Sequence, residues 1–468
     1  MSRDRRHVSS SPADQASLPR IWSGLFDADH GLFDMHGRGA RDAGDALLSV
    51  DGPYLTGGDE PPTVAYGAAR LLVRVHGEPI GFVLVPLDGG RLDQRVVWDR
   101  IERELGAAVA PTLRRYEAGE EPDENVDAEV CDEGAPALPA WVAAGRAVPL
   151  SVVVCTRDRP VQLARCLAAL ARVEHDALEV VVVDNAPASD ATARLVTLAA
   201  EGDPRIRYLR EDRPGLSRAR NRGLAEAQAA IVAFTDDDVR VDPLWPTALV
   251  RGFARDRAVT CVTGMVAGAS LDLPAEQYFD ERVSWSSNCE RRTFEAAPGP
   301  GDSRLHPFAA GAFGTGANMA FRAAELRVIG GFDECLGAGS PAGGGEDLDA
   351  FLRVLLERGR IGYEPAALVW HEHRAAPGEL DRQMYNYGKG LTAYLCKHAL
   401  SRRSAGPMAG RVVPGLARLA GLSQRSRRAA QGTTAARRAP LWEVAGSLAG
   451  PWAYLRGRQG AAHPTRMS

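Results

Sequence analysis

The stretch AIVAFTDDD, residues 230–238, decides the interpretation of the fold, because three consecutive carboxylates follow closely on a short apolar run. Apolar runs of this length are typical of strands buried in a sheet. Three aspartates at the rim of a sheet repel one another and raise one another's pKa values. A divalent cation with oxygen ligands removes that repulsion, and Mg²⁺ typically binds one or two carboxylates together with substrate phosphates. Asp236, Asp237 and Asp238 therefore predict a metal-diphosphate site, the alternative being an acidic turn after a strand.

Strands and helices alternate in the sequence before these aspartates. The predicted strands are Leu150–Cys155, Leu178–Val183, Arg205–Leu209 and Ala230–Phe234, and the predicted helices are Pro160–Val173, Ser189–Ala200 and Ser217–Ala229. Repeated β–α order implies right-handed crossovers between parallel strands. The sequence thus predicts an α/β fold with an open, mostly parallel sheet flanked by helices.

Polar residues follow three of these strands at their carboxyl ends. Thr156-Arg157-Asp158-Arg159-Pro160 follows the first strand, Asp184-Asn185 the second, and the three aspartates the last. In an open parallel sheet these ends meet at one edge, where ligands bind, so this edge is predicted to hold a nucleotide and the cation on its diphosphate. The sequence has no GxGxxG after the first strand and no GxxxxGK[ST], which counts against a dinucleotide-binding dehydrogenase and a P-loop enzyme.

The rest of the chain divides by composition. Residues 1–20 are polar and are predicted to be disordered. Residues 21–115 contain two strands, a turn and a helix, which predict a small α+β module. Residues 116–147 are acidic and contain several prolines, as linkers do. The α/β domain is expected over residues 148–380, and a helical, basic C-terminal region over residues 381–468.

Charge is distributed unevenly along the 468 residues. The segment from Tyr385 to Ser468 has fourteen Lys or Arg residues and one acid, so it carries +13, and the formal net charge of −4 leaves −17 on residues 1–384. A basic segment with tryptophans near helical spacing runs from Leu441 to Leu455, and Pro451 and Glu443 interrupt its apolar pattern. This segment predicts a peripheral contact with an anionic membrane surface or, alternatively, a helix packed on the α/β domain.

Cysteine usage and the absence of long apolar runs predict the location of the protein. Seven cysteines are widely scattered without CxxC spacing, which indicates reduced thiols and argues against a zinc site. The sequence has no run of 18 apolar residues and no apolar segment behind its N-terminus. We therefore expect a cytoplasmic protein, with any membrane contact on the inner face of the cell membrane.

Seven short motifs between Val148 and Arg374, about half of the chain, occur in the order found in family 2 glycosyltransferases, which this segment resembles. The motifs are VVCTRDR (153–159), VVDN (182–185), GLSRARNRG (215–223), FTDDD (234–238), GGFDE (330–334), GEDLD (345–349) and HEHR (371–374). The resemblance implies a GT-A fold and an inverting enzyme that transfers a sugar from a nucleotide-sugar donor to an acceptor hydroxyl.

The resemblance also implies roles at the predicted metal site. Asp236 and Asp238 match the family's DxD-type motif and are expected to bind Mg²⁺ or Mn²⁺ on the donor diphosphate. Asp237, between them, is expected to face the sugar or ribose. His371 is expected as a further metal ligand, with His373 as the alternative.

A nucleotide-sugar site is implied at the same edge, with UDP-, GDP- and dTDP-sugars as the candidate donors. The residues expected in it are Thr156, Arg157, Asp158, Asp184, Asn185, Arg220, Asn221, Asp236 and Asp237. Arginine suits this site because its planar guanidinium matches phosphate geometry.

Asp347 matches the family's catalytic base, and its neighbour Glu346 is expected to position the acceptor or the base. In a single displacement the acceptor hydroxyl loses a proton as it attacks, and a carboxylate within hydrogen-bond reach is suited to accept that proton. The alternative is that both acids only complement the dipole of the helix that follows. Trp285, Trp370 and Tyr278 are candidates for stacking on a sugar ring, and packing in the core or at the surface is the equal alternative.

Two other functions stay open as alternatives. A GT-A-like nucleotidyltransferase normally carries a glycine- and lysine-rich signature after the first strand, where this chain has Thr156-Arg157-Asp158-Arg159. A non-catalytic carbohydrate-binding relative is expected to lack one of the carboxylates, yet Asp236, Asp238 and Asp347 are all present. The expected acceptor is a saccharide, a lipid-linked molecule or a small molecule, and nucleic acid is not an expected partner.

Overall fold

The structure is a computed structural model, and it describes residues 21–27, 31–33, 48–49, 67–87, 91–117, 140–373, 377–411, 413, 415 and 438–462. The segment predicted to be disordered, residues 1–20, lies outside the described residues. So does most of the predicted linker, residues 118–139. The division of the chain into domains at residues 21, 116, 148 and 381 therefore stays a prediction.

A small N-terminal sheet precedes the main sheet. Its strands are β1 (Ile21–Asp27), β2 (Gly31–Phe33), β4 (Ala68–Val75) and β5 (Glu78–Pro86), in the order β2-β1-β4-β5. A short separate pair is formed by β3 (Leu48–Ser49) and β6 (Arg91–Leu92). The helix α1 (Gln94–Glu117) packs on β5 and buries Val97 and Ile101 against Val83 and Val85, because apolar residues recur on one face of the helix.

The main sheet has nine strands, six of which run in the same direction. Its first half consists of β7 (Leu150–Thr156), α3 (Pro160–Ala171), β8 (Leu178–Asn185), α4 (Ala191–Gly202), β9 (Ile206–Glu211), α5 (Leu216–Glu226) and β10 (Ile231–Asp236), preceded by α2 (Ala140–Arg146). All of the strands predicted in this half are confirmed, and the α/β class with an open, mostly parallel sheet flanked by helices is confirmed as well. β7, β8 and β10 are almost completely buried, which explains their nearly continuous apolar sequences, whereas β9 at the edge of the sheet is only partly buried.

The second half of the sheet is less regular, and three of its five strands run opposite to the strands of the first half. It consists of β11 (Val239–Val241), α6 (Trp245–Ala254), β12 (Val259–Gly268), α7 (Pro274–Val283), β13 (Arg292–Phe294), a short 3₁₀ turn (Ala310–Ala312), β14 (Asn318–Arg322), α8 (Ala323–Val328), α9 (Glu346–Leu356) and β15 (Arg360–His371). The strand order is β11-β15-β12-β14-β10-β7-β8-β9, with β13 paired to β15. The antiparallel β14 lies between β10 and β12 and joins the two halves.

The N-terminal sheet packs directly against this second half. Leu25 and Leu72 share an apolar cluster with Met265, Leu368 and Trp370 of β12 and β15. Ion pairs cross the same boundary: Arg74 donates to Asp242 over 3.1 Å, and Arg251 of α6 pairs with Glu78. The N-terminal sheet therefore lies on the strands that lead to the carboxyl edge of the main sheet.

The C-terminal helices are α10 (Pro377–Ala399), α11 (Ala405–Ala409) and α12 (Ala439–Ala462). Glycines bring α12 and α10 into close contact, since a Cβ added to Gly446 would lie 1.9 Å from the carbonyl oxygen of Tyr385. The helix α12 continues through Pro451. Packing along α10 compensates for the hydrogen bond that an internal proline removes.

Two further predictions can be compared with the structure for the described residues. Among them, no helix combines the length and the apolar character needed to cross a membrane. The six cysteines of the described segments are free thiols, as expected from their spacing.

Candidate active site

Strand register brings the predicted polar clusters to one edge of the main sheet. Thr156 at the end of β7 lies opposite Asp184 of β8, and Cys155 lies opposite Asp236 of β10. Because all three strands are parallel, their carboxyl ends are level and their polar residues are neighbours. The predicted edge is thus present in the structure.

Asp236, Asp238 and His371 form a compact cluster of potential metal ligands, with one ligand atom of each lying within 4.8 Å of the others. The cluster forms because β11, directly after the aspartates, pairs with the end of β15, where Val239 lies opposite His371. Carboxylate oxygens suit Mg²⁺ and Mn²⁺, and imidazole is a common additional ligand, so these side chains fit the expected ion. His373 lies behind His371, with the two Nδ1 atoms 3.2 Å apart, and is not part of the cluster.

Opposite charges are already paired within this cluster. His371 Nε2 lies 3.4 Å from Asp238 Oδ1, and Arg159 Nη1 lies 3.0 Å from Asp238 Oδ2. Burial alone would raise the pKa of Asp238, but His371 and Arg159 hold that pKa below its usual value. Burial raises the pKa of Asp236 although Arg220 opposes this effect. Asp238 is accordingly the more strongly anionic of the two aspartates.

Asp237 is turned inward, which differs from the position facing a sugar or ribose that was expected for it. The hydroxyl of Thr156 donates to its Oδ2 over 2.7 Å, and Arg159 donates to its Oδ1 over 2.5 Å. Burial, reinforced by the negative charge of Asp238, raises the pKa of Asp237 to about 7. Thr156 and Asp237 therefore hold the turn of the aspartates on β7, and neither presents a free polar atom to the edge.

Arg220 connects the metal cluster with the second pair of acids. This fully buried side chain donates to Asp236 Oδ1 over 3.2 Å, to Glu346 Oε1 over 2.7 Å and to the carbonyl oxygen of Gly316 over 3.1 Å. Burial and the neighbouring Asp347 raise the pKa of Glu346 to about 7, although Arg220 opposes them. Arg220 and Glu346 thus form a rigid buried pair beneath the site.

Asp347 lies in the first turn of α9, where the resemblance places the base. Its Oδ2 accepts a hydrogen bond from the backbone N–H of Gly316 over 2.8 Å. Its Oδ1 accepts one from the N–H of Leu348, at the start of the helix. These contacts fix the orientation of the carboxylate, and its side chain is part of the wall of the large cleft described below.

The remaining expected nucleotide residues have structural contacts of their own. Asp184 is completely buried and accepts a hydrogen bond from Tyr208 over 3.0 Å. Asn185 accepts from the N–H of Gly215 and Asn221 from the N–H of Phe332, both over 2.8 Å, so these two amides hold loops. Two residues of the first cluster remain at the surface of the edge: Arg157 and Asp158, whose side chains are 51% and 41% exposed.

A cleft of about 1270 Å³ opens on the other side of Asp236. Arg220, Asp236, Glu346 and Asp347 line it, and so do Trp285, Tyr387 and Glu443. The Trp285 ring also lies against His371, with centroids 6.1 Å apart. Of the three aromatic residues considered for stacking, Trp285 lines the cleft. Trp370 and Tyr278 are buried in apolar clusters and are not available.

Sequence reasoning missed two contributors to this site. Arg159 belongs to a quoted motif, but nothing in the sequence indicated that it pairs with Asp237 and Asp238. The N–H of Gly316 is a backbone group, which residue type alone does not reveal. The only indication of this pairing in the sequence was the position of Arg159, a basic residue three positions after Thr156, at the edge where the acidic cluster was predicted.

Comparison with known proteins agrees with the motifs. Residues 151–312 match the family model described as Glycosyl transferase family 2. A pre-mycofactocin glycosyltransferase of Mycobacterium tuberculosis is 27% identical over 184 residues, which are 39% of this chain and 36% of that protein. Succinoglycan biosynthesis protein ExoM of Rhizobium meliloti is 28% identical over 264 residues, which are 55% of this chain and 78% of that protein. The predicted resemblance to family 2 is thus confirmed for the matched residues.

Among solved structures, a similar one is the mannosyltransferase PcManGT from Pyrobaculum calidifontis in complex with GDP-Man and Mn²⁺. Its TM-score is 0.42 at 18% sequence identity, and the alignment covers 78% of this chain and 97% of that chain. The chain spans about a third of the length of the mycobacterial relative.

Proposed function

We propose, from the premise that residues 151–312 belong to glycosyl transferase family 2, that this protein is an inverting glycosyltransferase. It would transfer a sugar from a nucleoside-diphosphate sugar to an acceptor hydroxyl by a single displacement. One observation carries this proposal: Arg220 bonds both Asp236 of the metal cluster and Glu346, the residue before Asp347. The carboxylates proposed for the donor side and for the acceptor side would therefore line one cleft.

Asp236, Asp238 and His371 would hold Mg²⁺ or Mn²⁺ in this enzyme. The ion, when bound, would neutralise the charge on the diphosphate leaving group. Arg157 and Asp158 at the exposed edge, with Asp184 beneath them, would contact the nucleotide of a UDP-, GDP- or dTDP-sugar. Asn185, Asn221, Thr156 and Asp237 would act indirectly, by holding the loops on which these residues lie.

Asp347 would accept the proton of the acceptor hydroxyl. As that oxygen forms its bond to the anomeric carbon, the bond from this carbon to the diphosphate oxygen breaks, and the nucleoside diphosphate leaves on the opposite face. The hydrogen bond from Gly316 would keep Asp347 in one orientation, which favours proton transfer because the base need not be ordered first. Glu346, which is bound to Arg220, would help to hold the neighbouring Asp347 in this orientation.

The acceptor would bind in the outer part of the cleft. Trp285 and Tyr387 line it, and their ring centroids lie 6.4 Å apart at an angle of 33°. Two neighbouring aromatic rings with polar residues around them suit a sugar or a similarly amphipathic molecule. The volume of about 1270 Å³ suits an acceptor larger than one hexose.

We also propose that α12 brings this cleft to an anionic membrane surface. Five apolar residues on one face of α12 are exposed: Leu441 (70%), Val444 (57%), Leu448 (81%), Trp452 (64%) and Leu455 (44%). Their spacing of three or four residues defines a stripe, and the opposite face packs on α10. Arg456 lies over the Trp452 ring at 5.3 Å and adds positive charge. Glu443, from the same helix, lines the cleft.

Vesicle co-sedimentation tests this contact. The full chain is expected to bind vesicles that contain an anionic lipid, and Leu448→Glu is expected to bind them at least tenfold more weakly. Leu198→Glu is the matched control, because Leu198 is also a largely exposed leucine, on α4. Equal binding by the wild type and both variants would remove α12 as the contact.

Calorimetric titration tests the enzymatic proposal. UDP, GDP and dTDP are titrated in turn with Mn²⁺ and then with EDTA, using the wild type and Asp238→Ala. Binding of one nucleotide that is lost with EDTA and with the substitution is the expected result. A folded protein that binds none of the three would contradict the donor site.

A further inference from the structure

A chain of four polar side chains leads from the N-terminal sheet to the metal cluster. Arg70 of β4 donates from Nη1 to Asp280 Oδ2 over 3.0 Å. Asp280 Oδ1 lies 3.4 Å from His373 Nε2, and His373 Nδ1 lies 3.2 Å from Nδ1 of His371. The first and last members lie 301 residues apart in the sequence, and the contacts along the chain are buried or partly buried.

The order of donors and acceptors along this chain is determined by chemistry. An ionised Asp280 only accepts, so His373 donates from Nε2, and the Nδ1 of a neutral His373 is then an acceptor. His371 must accordingly donate from Nδ1, since two facing nitrogens cannot both accept. In the neutral form of His371 that binds a metal, the lone pair is then on Nε2, which lies on the side of Asp238 where the candidate ligand atoms meet.

The backbone around this contact leaves room for it. A Cβ at Gly268, the last residue of β12, would lie 3.0 Å from both Asp280 Oδ1 and His373 Nε2, closer than side chains normally approach. A glycine at this position therefore allows the carboxylate and the imidazole to meet.

Arg70 is itself held in place on several sides. It also donates to the hydroxyl of Ser286 over 2.9 Å, and its guanidinium lies over the Phe82 ring at 3.9 Å. Ser286 is buried, and Phe82 belongs to β5 of the same N-terminal sheet. The end of the chain that is farthest from the metal cluster is thus fixed rather than free in solvent.

We propose that Asp280 and His373 are positioning residues for His371, and that Arg70 anchors them from the N-terminal sheet. The N-terminal sheet then completes the metal site of the α/β domain. This inference rests on the proposed metal-dependent function, but it concerns residues outside the candidate ligand set. Groups that orient a metal-bound histidine are typically worth about 10- to 100-fold in metal affinity.

The test compares two arginines of the same strand. Arg70→Gln removes the anchor, and Asp280→Asn removes the charge that His373 faces. Arg74→Gln is the matched control, because Arg74 also joins β4 to the main sheet by an ion pair, with Asp242, but does not belong to the chain of four. Circular dichroism of each full-length variant confirms that it is folded.

Two readouts on Mn²⁺ separate the possible outcomes. Electron paramagnetic resonance measures the dissociation constant of Mn²⁺ in the presence of UDP, GDP or dTDP, whichever binds. Electron spin echo modulation detects the ¹⁴N of a coordinated histidine. Arg70→Gln and Asp280→Asn are expected to bind Mn²⁺ at least tenfold more weakly with a reduced ¹⁴N signal, while Arg74→Gln matches the wild type.

Other results would overturn the proposal in distinguishable ways. Unchanged affinity and ¹⁴N signal in folded Arg70→Gln and Asp280→Asn would show that the chain does not position His371. If Arg74→Gln lost as much Mn²⁺ affinity and ¹⁴N signal, the effect would come from weaker docking of the N-terminal sheet and not from the positioning of His371. A wild type that binds Mn²⁺ without a ¹⁴N signal would exclude His371 as a ligand. A wild type that binds no Mn²⁺ would contradict the proposed function itself.

Discussion

The backbone N–H of Gly316 donates a hydrogen bond to Oδ2 of Asp347 over 2.8 Å, which ties the candidate base to the segment before β14. The carbonyl oxygen of the same Gly316 accepts from Arg220, which also bonds Asp236. One backbone residue thus relates the position of the base to that of the metal cluster. A shift of either carboxylate would require this segment to move.

Asp347→Asn is expected to lower kcat by about 10²- to 10⁴-fold, the usual contribution of a general base. The amide oxygen can still accept the hydrogen bond of Gly316, so the affinity for nucleotide and Mn²⁺ is expected to stay unchanged. Steady-state kinetics and calorimetry measure the two quantities. Glu325→Gln, on the exposed surface of α8, is the control. An Asp347→Asn protein with wild-type kcat would exclude Asp347 as the base.

Glu346→Gln is expected to change how stability depends on pH. The pKa of Glu346 is raised from about 4.5 to about 7, so the stability it contributes is present below pH 4.5 and is lost progressively up to pH 7. Glutamine does not titrate, so the melting temperature of the variant relative to the wild type is expected to rise between pH 5 and pH 7 and to level off above. The slope corresponds to about 1.4 kcal/mol per pH unit at most.

Melting curves at closely spaced pH values measure this effect in the absence of nucleotide and metal. A difference in melting temperature between Glu346→Gln and the wild type that stays constant from pH 5 to pH 8 would show that Glu346 titrates normally. A difference that falls with rising pH would show the opposite shift, that is, a carboxylate stabilised by Arg220 more than it is destabilised by burial.

Trp285→Ala is expected to raise the KM for the acceptor by about tenfold, because stacking and burial of an aromatic ring contribute on the order of 1 kcal/mol or more. The KM for the donor is expected to change less than the KM for the acceptor, because Trp285 contributes to the donor side only through His371, whose ring centroid lies 6.1 Å from its own. Kinetics with any acceptor that supports turnover measure both constants. Trp98→Ala is the control, because Trp98 is a half-exposed tryptophan on α1, away from the cleft. A change in the KM for the donor without a change in the KM for the acceptor would contradict the assignment of Trp285 to the acceptor site.

Two glycines of α12 are expected to respond oppositely to substitution by alanine. A Cβ at Gly446 would lie 1.9 Å from the carbonyl oxygen of Tyr385, so Gly446→Ala is expected to lower the free energy of unfolding by about 1–3 kcal/mol. At Gly457 the nearest atom would be 3.4 Å away, and alanine is expected to stabilise the helix by up to about 1 kcal/mol. Chemical denaturation measures both. Equal effects would show that α12 is not packed on α10 at Gly446.

Local sequence patterns were sufficient for the first half of the main sheet. Leu150–Cys155 and Ala230–Phe234 were predicted as buried strands and are found in β7 and β10, because continuous apolar runs are stable only inside a sheet. The grouping of Asp236 and Asp238 with His371 was also expected, through the resemblance. It was not predictable from the residues alone, since His371 reaches the aspartates only through the pairing of β11 with β15.

Other expectations failed where a distant contact decides the outcome. Asp237 was expected to face a ligand, but Arg159 and Thr156 turn it inward. For Trp370, stacking on a sugar and packing in the core were equal alternatives, and contact with the N-terminal sheet places it in the core.

The sequence by itself determined the order of strands and helices, the acidic turn after β10 and the distribution of charge, because these depend on periodicity and composition over short ranges. Only the tertiary structure decided that the N-terminal sheet lies against β12 and β15 and that Arg70 reaches Asp280, 210 residues away. Contacts over such distances follow from how apolar faces pack. No local pattern encodes which of several arginines will meet a given carboxylate.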